Sequence, residues 1–352
     1  MSVPWSGPAP ACVRPAGAAH KRLDSDSEAP QPPPAKRARR LSGETGEAHG
    51  GLLGTGATAA AADVPAVTQR GPSRIGPFLL VPAAAERDGV HCRAVHVDTG
   101  DELLCKVFSM ADYQRKIRAY WAAPPHPGVP AVREVILGER EAYVFLDRDF
   151  GDMHTLVKSR RRLDEAQARP LFRQMARAVA RCHRAGVVLG DLKLRKFVFA
   201  DENRTQVRLE SLEDSRVLED PRDDAMWDTH GCPAYVSPEI LSGAAPYSGK
   251  MADMWSLGVV LYTMLAGRYP FHDPDPAALF SKIRRGHCCL PEGLSPGARC
   301  LVQSLLRKEP GERLTASELL AHPWFRRQTP ESSPAEQTVP SFDAEDDDGL
   351  LC

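Results

Sequence analysis

With 352 residues, 42% hydrophobic and 26% charged, the chain can build one large or two ordinary domains around a substantial core. A formal net charge of −1 excludes an evenly basic, nucleic-acid-coating molecule. Nine cysteines with no CxxC pair and no regular spacing argue against a disulfide framework and for a reducing compartment. The N-terminus lacks a charged start followed by an apolar run, so no secretory leader is read there. The longest apolar stretch, 254–266, is too short to span a bilayer and reads as a buried helix. The expectation is a soluble intracellular chain with no membrane and no nucleic-acid partner, acting as a monomer.

Residues 1–73 are poor in aromatics and rich in Pro, Ala, Gly and Ser. Such a segment buries too little apolar surface to offset its ordering entropy, which predicts disorder. Lys21-Arg22 and Lys36-Arg37-Ala38-Arg39-Arg40 within it read either as a bipartite nuclear-import signal or as a solvated basic run. From residue 74, short apolar or β-branched runs at 77–81, 94–97, 102–108 and 142–146 alternate with Gly, Pro and Asp, the pattern of strands. A short helix falls between them, closed off by Pro124, Pro125, Pro127 and Pro130. Beyond Gly151 the pattern turns helical. Asp164 caps a helix with an apolar face of Leu171, Phe172, Met175, Val179 and Cys182 that ends at Gly186, with Pro170 in or near its first turn or kinking it. A helix over 252–267 is apolar nearly all round and therefore central. Further helices are expected at 277–285, 295–307 and 315–321. A β-rich small half followed by a helical large half is an α+β arrangement. The boundaries are 74–325 for the folded domain and 326–352 for a polar tail, in which 328–352 carries seven acidic side chains and no Lys or Arg.

The segment Leu189-Gly190-Asp191-Leu192-Lys193 resembles the protein-kinase catalytic loop H-R-D-L-x-x-x-N. Cys232-Pro233-Ala234-Tyr235-Val236-Ser237-Pro238-Glu239 resembles the substrate-side loop, and Asp253-Met254-Trp255-Ser256-Leu257-Gly258 the start of the central helix. Arg268-Tyr269-Pro270-Phe271 and Glu309-Pro310-Gly311-Glu312-Arg313-Leu314 complete a series in kinase order. The resemblance implies a bilobal protein-kinase-like fold. It also implies structural jobs for three residues: Glu239 pairs with Arg313, and Asp253 holds the catalytic-loop backbone.

Phosphoryl transfer is mostly positioning and charge neutralisation by metal ions at the triphosphate. The Asp of D-F-G would hold one ion, but the matching place reads Ser211-Leu212-Glu213, and Ser211 offers no charge to a cation that prefers carboxylate oxygen. The catalytic-loop Asn would hold the second, but Lys196 stands there with a fixed positive charge. Both positions are degenerate for metal. The glycine-rich phosphate loop is missing between Gly76 and Gly89, where Pro82-Ala83-Ala84-Ala85-Glu86 adds bulk and negative charge. Lys106 matches the lysine that grips phosphates, yet no acidic residue lies between Tyr113 and Arg133 to act as its usual helix partner. Asp191 and Lys193 survive, either as a general base with its companion or as a loop hydrogen bond. The expected catalytic set is therefore empty, with Asp191, Lys193 and Lys106 vestigial. The expected cofactor list is also empty, with ATP weak or absent and no Mg²⁺. A weakly active or metal-independent Ser/Thr kinase is the alternative.

Ser-Leu-Glu for D-F-G, Leu-Gly-Asp-Leu-Lys, and Gly151-Asp152-Met153-His154 together resemble the Tribbles pseudokinases. That resemblance implies an adaptor working in nucleus and cytoplasm. It would hold a transcription factor of the CCAAT/enhancer-binding type and recruit an E3 ubiquitin ligase of the constitutive-photomorphogenesis type. It would also regulate MAP-kinase signalling by binding MAP-kinase kinases. Glu336-Gln337-Thr338-Val339-Pro340 resembles the family's ligase motif, with Glu336 where Asp is usual; Gln337, Val339 and Pro340 match. A stiff Val-Pro segment loses little entropy on docking, although it is equally at home in a plain linker. Leu319-Leu320-Ala321-His322-Pro323-Trp324-Phe325 resembles the MAP-kinase-kinase motif, and equally the end of many ordinary kinase domains, where the tryptophan packs inside. The resemblance also implies that the tail folds back on the short small-lobe helix, with Arg115, Lys116 and Arg118 facing the acidic 343–348 run.

Overall fold

The computed structural model describes residues 72–82, 91–228, 231–243 and 246–326, and the backbone of the strand pair at Cys12–Val13. The small lobe is an antiparallel sheet of β1 (Ser73–Ile75), β2 (Phe78–Pro82), β3 (His91–His96), β4 (Glu102–Ser109), β5 (Val132–Leu137) and β6 (Glu141–Asp147). Its order is β5-β6-β4-β3-β2-β1, and Cys12–Val13 pairs in parallel on the β5 edge. One face packs Phe78, Leu80, Cys92, Ala94, Cys105 and Phe145 into a small core of their own. The register sets Lys106 of β4 opposite Val144 of the central strand β6, so the lysine Nζ must be paired or the lobe destabilised. β1 and β5 were not anticipated. β5 follows a proline cluster and alternates poorly, with a bulge between Val132 and Glu134.

Between β4 and β5 lies α1 (Tyr113–Ala122), which buries Ile117, Ala119 and Tyr120. It ends before the prolines at 124 and 125, as they require.

The large lobe holds α2 (Met153–Arg160), α3 (Glu165–Arg184), the hairpin β7 (Phe197–Phe199) and β8 (Val207–Leu209), α4 (Pro238–Ser242), α5 (Gly249–Ala266), α6 (Pro276–Arg285), α7 (Pro296–Leu305) and α8 (Ala316–Ala321). The Asp164 carboxylate accepts from Gln167 N at 2.8 Å and starts α3 as its sequence requires. Pro170 lies inside this helix, past its first turn. α5 is buried on all sides and is the post around which the lobe is built. It stops at Gly267, whose φ is +70° and where an added Cβ would lie 1.9 Å from the Arg161 carbonyl oxygen, so only glycine fits. Phe172 of α3 stacks on Phe325 with ring centres 6.1 Å apart, and Trp324 Nε1 donates to Glu165 at 2.8 Å, sealing the far end. Among the described residues no helix is long and apolar enough to cross a membrane.

Candidate functional site

The site lies where the loop 189–196, the segment 210–214, β4 and α1 converge. The Asp253 carboxylate at the start of α5 accepts from the backbone N–H of Leu189 and of Gly190, each at 2.8 Å, and contacts His183 Nε2 at 2.8 Å. Gly190 has φ +73°, a turn that glycine makes without strain. Asp253 therefore fixes the loop that presents Asp191. Nearby, Arg313 and Glu239 form a two-pronged ion pair with both N–O distances 2.6 Å. Both structural roles drawn from the resemblance correspond to contacts in the fold.

Asp191 accepts from Lys193 Nζ at 2.7 Å. Across from it, Lys196 Nζ donates to Ser211 Oγ at 2.8 Å and to Asp214 at 3.2 Å, and stands 3.6 Å from Glu210. The two residues that replace the metal ligands are thus bonded to each other. The space bounded by Asp191, Lys196, Leu209, Ser211 and Asp214 measures about 10 Å³, about the room one water needs.

Lys106 is 2% exposed and pairs with two carboxylates, Glu210 at 2.8 Å and Glu213 at 2.9 Å. The sequence offered it no partner from α1, and α1 indeed supplies none. Its counterions come instead from the segment 210–214. What α1 contributes is Tyr120, whose hydroxyl donates to Glu213 at 2.9 Å, and Lys116, 3.4 Å from Asp214. Three lysines and three carboxylates make one closed, charge-balanced network. Glu210, Asp214 and Tyr120 were missed in the sequence. The signal was present in the run Glu210-Ser211-Leu212-Glu213-Asp214, three carboxylates close in sequence and available to Lys106 and Lys196.

Burial opposes ionisation of Glu210, but Lys106 and Lys196 outweigh it and hold the carboxyl at about 2. Burial and then Lys196 act the same way on Asp214, whose pKa is lowered. A carboxyl depressed in the fold contributes stability above its unfolded pKa and loses it as pH falls through the folded one. From 4.5 to about 2 for Glu210, that amounts to about 3 kcal/mol. Thermal melts are therefore expected to drop steeply as pH falls from 4.5 toward 2, and Glu210→Gln to flatten that slope. An equally steep slope in the variant would exclude the assignment.

The remaining positions lie apart from this network. In the 319–325 segment Leu319, Trp324 and Phe325 are core residues, Leu320 and His322 are half-buried, and Pro323 is exposed. Packing explains the buried three, so Leu320, Ala321, His322 and Pro323 are what the segment offers to a partner. Glu336, Gln337, Val339 and Pro340, the acidic 343–348 run, the basic clusters before residue 41 and the stretch 83–86 all lie outside the described residues. Among the described residues no group of three or more His, Cys, Asp or Glu side chains is placed to hold a metal ion. Beside the catalytic-type loop opens a cleft of about 820 Å³ lined by His154, Lys158, Arg161, Arg268, Tyr269 and Phe271 among others, cationic with aromatic walls.

Residues 89–325 match the protein kinase domain family. The chain is 62% identical to human Tribbles homolog 1 over 255 residues, covering 72% of this chain and 68% of that protein. It belongs to the Tribbles family. Tribbles homolog 2 of the dog is 56% identical over 253 residues, covering 72% of this chain and 73% of its own. Tribbles homolog 3 of the mouse is 52% identical over 279 residues, covering 79% and 77%. The α+β bilobal kinase fold and the family resemblance read from the motifs are both met. In this Tribbles chain the kinase frame is intact, and Lys106, Lys116 and Lys196 are tied to Glu210, Glu213 and Asp214 in one ion-pair network.

Proposed function

We propose that this chain is a catalytically impaired adaptor. It holds a transcription factor of the CCAAT/enhancer-binding type on the kinase-like domain and recruits an E3 ubiquitin ligase of the constitutive-photomorphogenesis type through Glu336, Gln337, Val339 and Pro340. It also engages MAP-kinase kinases, through the accessible Leu320, His322 and Pro323, and works in nucleus and cytoplasm. The observation that carries this reading is the bond from Lys196 to Ser211, reinforced by Lys106 between Glu210 and Glu213. Lys196 holds the position from which a kinase asparagine would bind one magnesium, and Lys106, which would grip phosphates, is already paired with carboxylates. The cationic cleft beside the loop supports protein binding, since it attracts an acidic segment over a distance of several ångströms.

A second reading, a weak metal-independent kinase, is favoured by the intact pair of Asp191 and Lys193 at 2.7 Å. Melting the protein with ATP, with and without Mg²⁺, separates the two. A ligand at a hundredfold its Kd raises stability by about 2.7 kcal/mol. The adaptor is expected to show no magnesium-dependent rise, and a rise of that size would favour the kinase. For recruitment, Val339→Ala with Pro340→Ala is expected to abolish ligase capture in a three-component pull-down while leaving transcription-factor binding intact. Capture of both partners at wild-type level would refute the tail assignment.

A further inference from the structure

The cleft beside the catalytic-type loop measures about 820 Å³, inside the range of roughly 300–1,000 Å³ in which small-molecule pockets fall. Most of its lining comes from the C-terminal ends of α2, α5 and α6 and the turns after them. Lys158, Arg161, Arg268 and Lys282 line it, with the imidazoles of His154, His272 and His287, and among the described residues no Asp or Glu does so. Lys282 is answered by Asp273 at 2.9 Å. Lys158, Arg161 and Arg268 have no carboxylate partner among the described residues. Burial and then Arg195 push the His154 imidazole down, with Lys158 adding to them and Asp152 opposing, as a positive local potential requires.

Helix ends explain part of this charge and not all of it. Each C-terminus carries about half a negative charge, so three of them offset about half of the three unpaired cations. The remainder matches the charge of about −1.5 to −2 on a phosphate monoester at pH 7. The backbone points the same way. Arg161 has φ +66° and is one of two non-glycine residues with positive φ among the described residues. A Cβ added at Gly267 would lie 1.9 Å from the Arg161 carbonyl oxygen, so the ends of α2 and α5 touch, and Arg161 and Arg268 leave from adjoining turns. Strained backbone of this kind persists only where the surroundings impose it, and it gathers at ligand clamps. Lys158, Arg161 and Arg268 are exposed, whereas Val157, Leu194, Tyr262 and Phe271 are buried, so charge sits at the rim and apolar surface at the floor. The Tyr262 hydroxyl donates to the Cys289 carbonyl at 2.7 Å, which leaves its ring as the surface on offer.

We propose that this cleft binds a small aryl or heteroaryl phosphate, its phosphate held by Lys158, Arg161 and Arg268 at the rim and its flat ring lying over the apolar floor. Two guanidinium forks on adjoining turns suit phosphate oxygens, which they bind in pairs. An acidic peptide satisfies the rim and leaves the floor uncovered; a ring bearing a phosphate answers both. The proposal goes beyond the adaptor reading, which asks only that an acidic segment be attracted to this surface, and it can fail without touching that reading.

The test uses the full chain, with phenyl phosphate as the probe in magnesium-free buffer. Cys289 lines the cleft and is exposed, and Cys300 of α7 is exposed outside it. Alkylation by iodoacetamide, read by mass spectrometry, therefore reports occupancy at Cys289 against an internal reference. At about four times its Kd the probe is expected to slow Cys289 about fivefold and to leave Cys300 unchanged. Phenol and inorganic phosphate, each with half the chemistry, are expected to need concentrations at least about tenfold higher. Arg161→Gly with Arg268→Gln is expected to raise the Kd about tenfold or more. Glycine relieves the left-handed backbone at 161, so this variant is expected to melt with the parent, and its lost binding then reads the missing guanidinium groups. Equal protection of both cysteines, protection of neither, phenol as effective as phenyl phosphate, or an unchanged Kd in the variant overturns the proposal. So does a phosphotyrosyl peptide that protects at about tenfold lower concentration than phenyl phosphate, which makes the ligand a partner's side chain.

Discussion

Lys106→Met is expected to melt about 10 °C below the parent protein. In an active kinase the equivalent change removes a phosphate grip; here it removes the buried cation that pairs with both Glu210 and Glu213. Lys106 is 2% exposed, and both carboxylates are largely shielded from water, so neither can recover its solvation by moving a short distance. Breaking a buried pair from one side costs about 3–5 kcal/mol, because the remaining charge is left uncompensated. For a domain of this size each kcal/mol is worth about 2–4 °C. Removing the stranded charges in turn, with Lys106→Met, Glu210→Gln and Glu213→Gln combined, is expected to return at least half of the loss. Differential scanning calorimetry of the single and triple variants measures both. A single variant melting with the parent would show that the lysine is dispensable to the fold.

Arg313→Ala is expected to cost as much, and Arg313→Lys nearly as much. All five N–H groups of this guanidinium are used: two on Glu239, and one each on the carbonyls of Met251, Arg307 and Lys308. Its plane also lies 5.1 Å from the Trp255 ring centre. Alanine leaves a carboxylate and three carbonyls short of donors, about 3–5 kcal/mol. Lysine carries the charge but cannot reproduce the planar fork. Urea denaturation with a conserved m-value is the measurement. A lysine variant as stable as the parent would mean that charge, and not geometry, holds Glu239 and the loop before it.

The large-lobe frame was legible in the chain because its signals are local. A capping Asp164, a largely apolar α5 and the closing Gly267 each act within a few residues. Tertiary packing decided what the local signals left open. Pro170 sits inside α3 because the following residues are buried deeply enough to carry the helix past a missing backbone donor. β5 exists because β6 offers a partner edge, although its own alternation is broken by a bulge. At the site, Ser211 and Lys196 were readable as side chains without a carboxylate, since residue type alone says that. That they bond to each other was not readable, because they are 15 residues apart in the chain and meet only through the fold.

By itself the sequence determined the family frame, the residue types at positions 196 and 211 and where the acidic tail lies. Residue type sets charge, hardness and hydrogen-bonding capacity whatever the conformation. Only the tertiary structure decided how the lysines are neutralised. Glu210 and Glu213 lie 104 and 107 positions from Lys106, and no local rule links them. The same holds for the motif at 319–325, whose Trp324 and Phe325 turn inward against Phe172. Burial is a property of what packs on a side chain, and those neighbours come from distant parts of the chain.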